Sequence, residues 1–311
     1  MTFRDTSVHT TVLAVTALFV ALSLWQSEQM ASVQYALLAI GTILIGIPHG
    51  ATDNYLYARL VGGRETFRFY AVYLLIAILY GGFWLIAPVT SLVLFLLISV
   101  YHFGQSNLFY ADVPEHAGVK KLIYLPWGAF NLAAPLLFRY QKAAAVIEFL
   151  IGFHPLTVEA AHRAAPGVTG ALLAVNIVIL TVLYRTGRLS GRSFAKELLA
   201  FVLLTALYAT APLYVSFIVY WAFWHSLNSA IEIASTWRNL PPAAQLRRFF
   251  RAALPLSLVT FAGMAVIFLA AGVYGSAEAL IGTFFAIIAA ITLPHTVVME
   301  FLYRRREETS A

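Results

Sequence analysis

Gly46-Ile47-Pro48-His49-Gly50-Ala51-Thr52-Asp53 lies inside a long apolar run and interrupts it with two groups that hydrocarbon disfavours. A histidine and an aspartate at membrane depth are costly, and such residues usually face a bundle interior and mark function. On a helix, His49 and Asp53 stand four residues apart and share a face. The same anomaly recurs at Tyr101-His102-Phe103-Gly104-Gln105, Trp224-His225-Ser226-Leu227-Asn228 and Leu293-Pro294-His295. The chain reads as a scaffold that brings these four histidines together.

Composition sets the surroundings. The 311 residues are 61% hydrophobic and 11% charged, with a mean hydropathy of +0.81. A soluble domain has about 25% charged residues, so the sequence is that of an integral membrane protein. Its apolar runs of about 20 residues call for helices, because barrel strands are shorter and alternate. The expected fold is all-α: a polytopic transmembrane helix bundle forming a single membrane domain, residues 1–311.

The formal charge of +6 sits in short loops between the runs. It carries topology and is no nucleic-acid footprint. The absence of cysteine excludes disulfides, thiolate-ligated haem and cysteine-bound iron–sulfur clusters. Any metal site must use His, carboxylate or amide ligands. The N-terminal apolar run, preceded by one Arg and lacking a convincing small-residue cleavage site, reads as a retained first helix.

The spans expected from length and hydropathy are 10–26, 34–57, 68–87, 90–110, 121–138, 167–184, 197–211, 214–236, 252–272 and 277–302. Pro212 is expected to make a tight turn between two of them. Ala143–Phe153 is apolar but too short to cross, and with His154–Gly167 it reads as an interfacial helix plus loop. With about ten spans and both termini cytoplasmic, five basic groups fall on one side: Arg59/Arg64/Arg68, Lys120/Lys121, Arg185/Arg188/Arg192/Lys196, Arg238/Arg247/Arg248/Arg251 and Arg304/Arg305/Arg306. That is the positive-inside pattern, with Arg139 and Lys142 as exceptions.

On this topology the four histidines occupy spans that all run outside to inside. His49, His225 and His295 precede the first basic residue of the next inner loop by about 9–13 residues, and His102 precedes Asp112 by a similar count. At 1.5 Å per residue that sets all four about 13–20 Å from the inner end. Four imidazoles at one level can converge on a point. His9, His116, His154 and His162 fall in the N-terminal tail or loops and carry no such constraint.

Neutral imidazole suits iron, zinc, copper and nickel, and a cysteine-free histidine cluster suits non-haem Fe(II) or Zn. Each buried imidazole needs its second nitrogen satisfied. Helical spacing offers Asp53 to His49, Gln105 to His102 and Asn228 to His225, whereas His295 has only Thr296 and Glu300 nearby. Tyr101, Phe103, Trp221 and Trp224 flank the histidines and are candidates to line a pocket for an extended apolar substrate. Plainer readings use the same residues. A single membrane histidine is often a hydrogen-bonded packing group, and proton or ion carriers also place His and Asp at mid-membrane.

Pro48-His49-Gly50-Ala51-Thr52-Asp53, Tyr101-His102-Phe103-Gly104, Trp224-His225-Ser226 and Leu293-Pro294-His295 resemble the histidine motifs of the Brp/Blh family of bacterial and archaeal β-carotene 15,15'-dioxygenases. They stand in that family's order and at similar separations. The resemblance implies a multi-pass enzyme of the inner (plasma) membrane that uses Fe(II) and O2 to split β-carotene, or a related apolar polyene drawn from membrane lipid, at its central double bond into two retinals. By the same carry-over His49, His102 and His225 are iron ligands. The family's His-Ser motif is followed four residues on by a second histidine, and here that position is Ser229. Either His295 completes the site, or three histidines suffice, or this member has drifted to another substrate or lost activity. With His295 included, the expected ligands are His49, His102, His225 and His295, with Asp53, Gln105, Asn228 and Ser229 around them.

Overall fold

The computed structural model of the chain describes residues 7–61, 67–108, 117–237, 239–272 and 275–310. Arg64, Asp112, His116 and Arg238, which entered the topology argument, lie outside them, as do the side chains of Arg304, Arg305 and Arg306. The described residues contain helices and no strand. This follows from the solvent, since in lipid a helix satisfies every backbone N–H and C=O within itself.

Fourteen α-helices follow in order: α1 Ser7–Trp25, α2 Ser27–Gly41, α3 Ile47–Gly50, α4 Asp53–Val61, α5 Phe67–Ile86, α6 Pro88–Leu108, α7 Ala117–Phe138, α8 Tyr140–Ile151, α9 Val158–Arg185, α10 Gly191–Thr210, α11 Leu213–Ile218, α12 Leu227–Ala234, α13 Pro242–Ala271 and α14 Ala277–Ser310. Two π-helical segments are spliced in, Thr42–Gly46 between α2 and α3 and Val219–Ser226 between α11 and α12.

Eight described helices are long and apolar enough to cross a membrane: Val8–Trp25, Ser27–Arg59, Phe67–Ile86, Pro88–Leu108, Val158–Arg185, Gly191–Thr210, Pro242–Ala271 and Ala277–Tyr303. This is a multi-pass membrane protein. The other two expected spans, 121–138 and 214–236, fall in α7 and in the helical run from α11 to α12. Both carry more polar sequence and stand outside the eight.

Several expected boundaries move outward. The His154–Gly167 loop is largely helix, because Thr157 accepts a hydrogen bond from the backbone N–H of Ala160 and starts α9 at Val158. His162 is therefore helical. Ser190 caps α10 in the same way through Ser193 and extends the short 197–211 span back to Gly191. Side-chain caps of this kind satisfy orphan N–H groups at a helix start. Pro212 sits between the last residue of α10 and the first of α11, which meet across two residues.

The chain divides into two compact units. The first comprises Met1–Gly46, Val100–Ala143 and Leu156–Glu232, and the second Ile47–Ser99, Ala144–Pro155 and Ile233–Ala311.

In the first unit, Trp127, Phe130, Phe201 and Tyr208 form an aromatic core between α7 and α10. Two polar side chains beside it are paired. The Tyr208 hydroxyl donates to Asn131 Oδ1 at 2.7 Å, and Asn176 Nδ2 donates to the Pro126 carbonyl at 3.0 Å. Gly104 of α6 and Gly128 of α7 let the two backbones touch. A Cβ on Gly104 would run into the Tyr124 carbonyl, and one on Gly128 into the Val100 carbonyl. Such small-residue contacts replace the hydrophobic drive that lipid removes. Arg139, an exception to the charge pattern, donates to the carbonyls of Ala211 and Ala209 at 2.7 Å each. It closes the C-terminal end of α10, where a cation suits the helix dipole.

In the second unit, α5 packs on α14 through Tyr80, Trp84 and Ala289, with Phe83, Leu92, Phe95, Leu150 and Leu293 around them. The Tyr80 hydroxyl donates to the Ser91 carbonyl at 2.7 Å. Phe149 of α8 fills the space over Gly282 of α14.

Candidate functional site

Pro48 has no N–H to give, and the backbone around it is irregular. The π segment Thr42–Gly46 precedes it, and Ala51 and Thr52 form a turn before α4. Proline and π-bulges are the usual causes of such breaks, and π-bulges often occur at functional sites. Across the break His49 and Asp53 both face His295 of α14.

The Asp53 carboxylate meets the His295 ring directly. His295 Nδ1 lies 3.0 Å from Oδ1 and 2.9 Å from Oδ2 of Asp53. Tyr73 of α5 donates its hydroxyl to Asp53 Oδ2 at 2.9 Å. All of these lie in the second unit, with Asp53 1% exposed and His49 and His295 each 6% exposed. The rings of His49 and His295 meet edge to face with centroids 5.0 Å apart. The expectation that His295 has only Thr296 and Glu300 nearby is thus corrected, and its carboxylate comes from a distant part of the chain.

The first unit holds the other two. The rings of His102 and His225 stand edge to face with centroids 4.8 Å apart, each 1% exposed. His225 Nδ1 is 2.9 Å from Ser106 Oγ. The Ser106 hydroxyl proton goes to the Phe103 carbonyl at 3.2 Å, so its oxygen is free to accept from Nδ1–H. A hydroxyl has one proton and two lone pairs. In the tautomer that carries Nδ1–H, Nε2 keeps its lone pair. Asn228, expected beside His225, donates to the Ser106 carbonyl at 2.8 Å. The π segment Val219–Ser226 runs through His225. Asn228 therefore supports the residue that supports His225.

Gln105 Nε2 donates to the Tyr101 hydroxyl at 3.4 Å. Phe103 packs on His225 at 4.8 Å and on Tyr220 at 5.2 Å. Trp221 lies over Gly46 and stacks on Phe217 at 5.3 Å. Trp224 is fully buried, donating Nε1 to Thr16 at 3.0 Å, with the ring of His9 edge-on to it at 5.7 Å. His9, placed in the tail by sequence, is thus a buried residue of α1. Ser229 is buried, with no hydrogen-bond partner for its hydroxyl among the described residues.

Within each unit the imidazoles come in twos. Asp53 adds no third ligand, since its carboxylate is engaged with Nδ1 of His295. Among the described residues no group of three or more His, Asp or Glu side chains is gathered for a metal. Sequence reasoning missed Ser106 and Tyr73. Ser106 had a signal, standing four residues after His102 on the same helix face. Tyr73 had none.

Residues 40–303 match the protein family described as beta-carotene 15,15'-dioxygenase. The chain belongs to that family. A beta-carotene 15,15'-dioxygenase from uncultured marine bacterium 66A03 is 26% identical over 84% of this chain and 91% of its own length. A probable beta-carotene 15,15'-dioxygenase, Blh, from Halobacterium salinarum is 26% identical over 87% of this chain and 85% of its own. No solved structure matches.

Proposed function

We propose that this protein cleaves β-carotene at its 15,15' double bond with O2 to give two retinals, using Fe(II) held by His49, His102, His225 and His295. The observation that carries this reading is four nearly inaccessible imidazoles in a family member, two of them with Nδ1 already engaged. His225 is held by Ser106 and His295 by Asp53, the arrangement in which Nε2 is presented to a metal. The donor set is nitrogen-only, neutral and free of thiolate, which suits ferrous iron.

Iron at these residues would supply O2 activation. The chain's own contribution is to hold the rings, keep water out and admit a hydrocarbon. Burial of all four histidines serves the second task. A polyene dissolved in lipid reaches the protein laterally, and Tyr101, Phe103 and Trp221 offer it apolar surface, with the buried Trp224 behind them. Selecting one of many similar double bonds is a matter of position relative to the metal. We further infer a single domain in the plasma membrane, about ten spans and cytoplasmic termini, on the strength of the basic loops.

Expression in β-carotene-producing cells tests the reading. Retinal should accumulate, and purified protein should carry iron. Longer apocarotenals in place of retinal would mean another cleavage position, an outcome Ser229 makes worth measuring. Absence of any cleavage product together with iron far below one atom per chain would overturn the proposal.

Ser106→Ala tests the positioning of His225. Removing a group that orients a ligand typically costs about 10–100-fold in metal affinity or activity. The variant is expected to fall in that range by chelator competition, while Ser106→Thr, which keeps the hydroxyl, recovers most of the loss.

A further inference from the structure

Arg59 ends the span Ser27–Arg59, and the chain holds its guanidinium in place. Nη1 donates to the Tyr55 hydroxyl at 3.1 Å and Nη2 to the Thr236 carbonyl at 2.7 Å. A guanidinium has five N–H donors, so three remain. The Tyr55 ring stacks on Trp237 with centroids 4.6 Å apart, and the guanidinium carbon of Arg248 lies 5.7 Å from the centre of the same indole. All of these residues belong to the second unit. They bring the end of α4 and the start of α13 together at one face of the membrane.

Positive charge gathers here without its complement. Arg247, Arg248 and Arg251 are all exposed on α13. Arg251 stands four residues after Arg247 and three after Arg248, spacings at which like charges destabilise a helix. No Asp or Glu occurs from Ile233 to Ala277, and Asp53, the acid of α4, is engaged with His295 and Tyr73. Among the described residues neither Arg59 nor Arg248 is paired with a carboxylate. Trp237 is 6% exposed and its indole N–H has no acceptor among the described residues, although a buried indole N–H usually finds one.

We propose that this corner binds the phosphate of an anionic membrane lipid, with Arg59 and Arg248 as the recognising groups. A guanidinium matches phosphate with parallel N–H···O bonds and gives up its water readily. Tyr and Trp mark the headgroup level of a membrane, and basic pockets between spanning helices on one face take anionic lipid heads. A lipid fits better than a free anion because Leu254 and Leu258, three and seven residues after Arg251, continue the same helix face and are exposed. They offer apolar surface to an acyl chain. The bound phosphate would relieve the repulsion on α13 and tie the end of α4 to it. This inference is independent of the iron reading.

The test uses the full-length protein in detergent. Native mass spectrometry measures lipid binding and the melting temperature reads stabilisation, with phosphatidylglycerol, zwitterionic phosphatidylcholine and inorganic phosphate added in turn. Phosphatidylglycerol should bind more tightly than phosphatidylcholine and raise the melting temperature, and both effects should shrink at high salt. An arginine beside an anionic lipid contributes a factor of about five. Arg248→Gln should therefore weaken phosphatidylglycerol binding about fivefold and the double variant Arg59→Gln/Arg248→Gln about 25-fold, with phosphatidylcholine binding unchanged. Arg185→Gln/Arg192→Gln removes the same charge from exposed positions on α9 and α10 and should bind phosphatidylglycerol as the wild type does. If the double variant fails to fold for want of the Thr236 contact, Arg248→Gln decides alone. Equal binding of the two lipids by the wild type would overturn the proposal, as would a loss in Arg185→Gln/Arg192→Gln equal to that in Arg59→Gln/Arg248→Gln. Stabilisation by inorganic phosphate equal to that by phosphatidylglycerol would also overturn it, assigning the corner to a free anion.

Discussion

His225→Ala is expected to strip most of the iron from the purified protein and to lower retinal formation by more than about 100-fold. Loss of a residue that merely orients a ligand already costs about 10–100-fold, so loss of the ligand should exceed that range. His225 suits the experiment because its surroundings are defined on every side: Ser106 at Nδ1, His102 edge-on to the ring, Phe103 against it. Two controls bracket the result. His162, exposed on α9, should tolerate alanine with iron and activity unchanged. His9→Ala should lower thermal stability, because it removes a buried ring packed on Trp224, yet leave iron bound. Iron retained at wild-type level in His225→Ala would remove this residue from the ligand set.

Gly104→Ala and Gly128→Ala are expected to be the most damaging glycine-to-alanine changes among the described residues. In each case the obstacle is a backbone carbonyl on the facing helix, Tyr124 for the first and Val100 for the second. A flexible side chain can swing aside, but a helix backbone cannot. α6 and α7 would have to separate along their contact, which undoes the packing of everything between these reciprocal points. Overpacking a tight site typically costs about 1–3 kcal/mol, and a rigid obstacle belongs at or above the top of that range. Folded yield and melting temperature should both fall. The stretch of α6 that would move carries His102 and Ser106, so residual folded protein should also hold iron weakly. Gly82→Ala is the contrasting case. Its Cβ would meet nothing within 4 Å, and replacing a helical glycine by alanine gains about 0.5–1 kcal/mol. A Gly104→Ala protein as stable as the wild type would mean that the helices have slack at this point.

How much of this was written in the sequence differs by feature. The apolar runs announced the helices because lipid leaves the backbone little choice, and the intrusion of His49, His102, His225 and His295 into those runs announced the residues to watch. Helix starts were harder to place. Thr157 and Ser190 begin helices inside stretches that look polar and loop-like, and single capping hydroxyls are weak signals beside hydropathy. The hydrogen-bond partners of the histidines were harder still. Asp53 and Asn228 were identified as polar residues to watch from their spacing, but the spacing did not name the groups they bond, His295 for the first and the Ser106 carbonyl for the second. The Asp53–His295 pair spans almost the whole chain and has no local signature. Tyr73 looks like one more aromatic in an apolar run until α5 is packed beside α4.

The widened turns around His225 also bear on how this family can vary in length. A π turn accommodates one residue more than an α turn does, so Val219–Ser226 holds slack that a deletion can absorb. Removing Ala222 would let the segment relax to ordinary α geometry without shortening the helix appreciably. The turns on either side would keep their register, because the residue removed is the one the π turn had added. The imidazole of residue 225 would then stay opposite Ser106, and relatives lacking that residue should still carry their histidine at the same place on the helix.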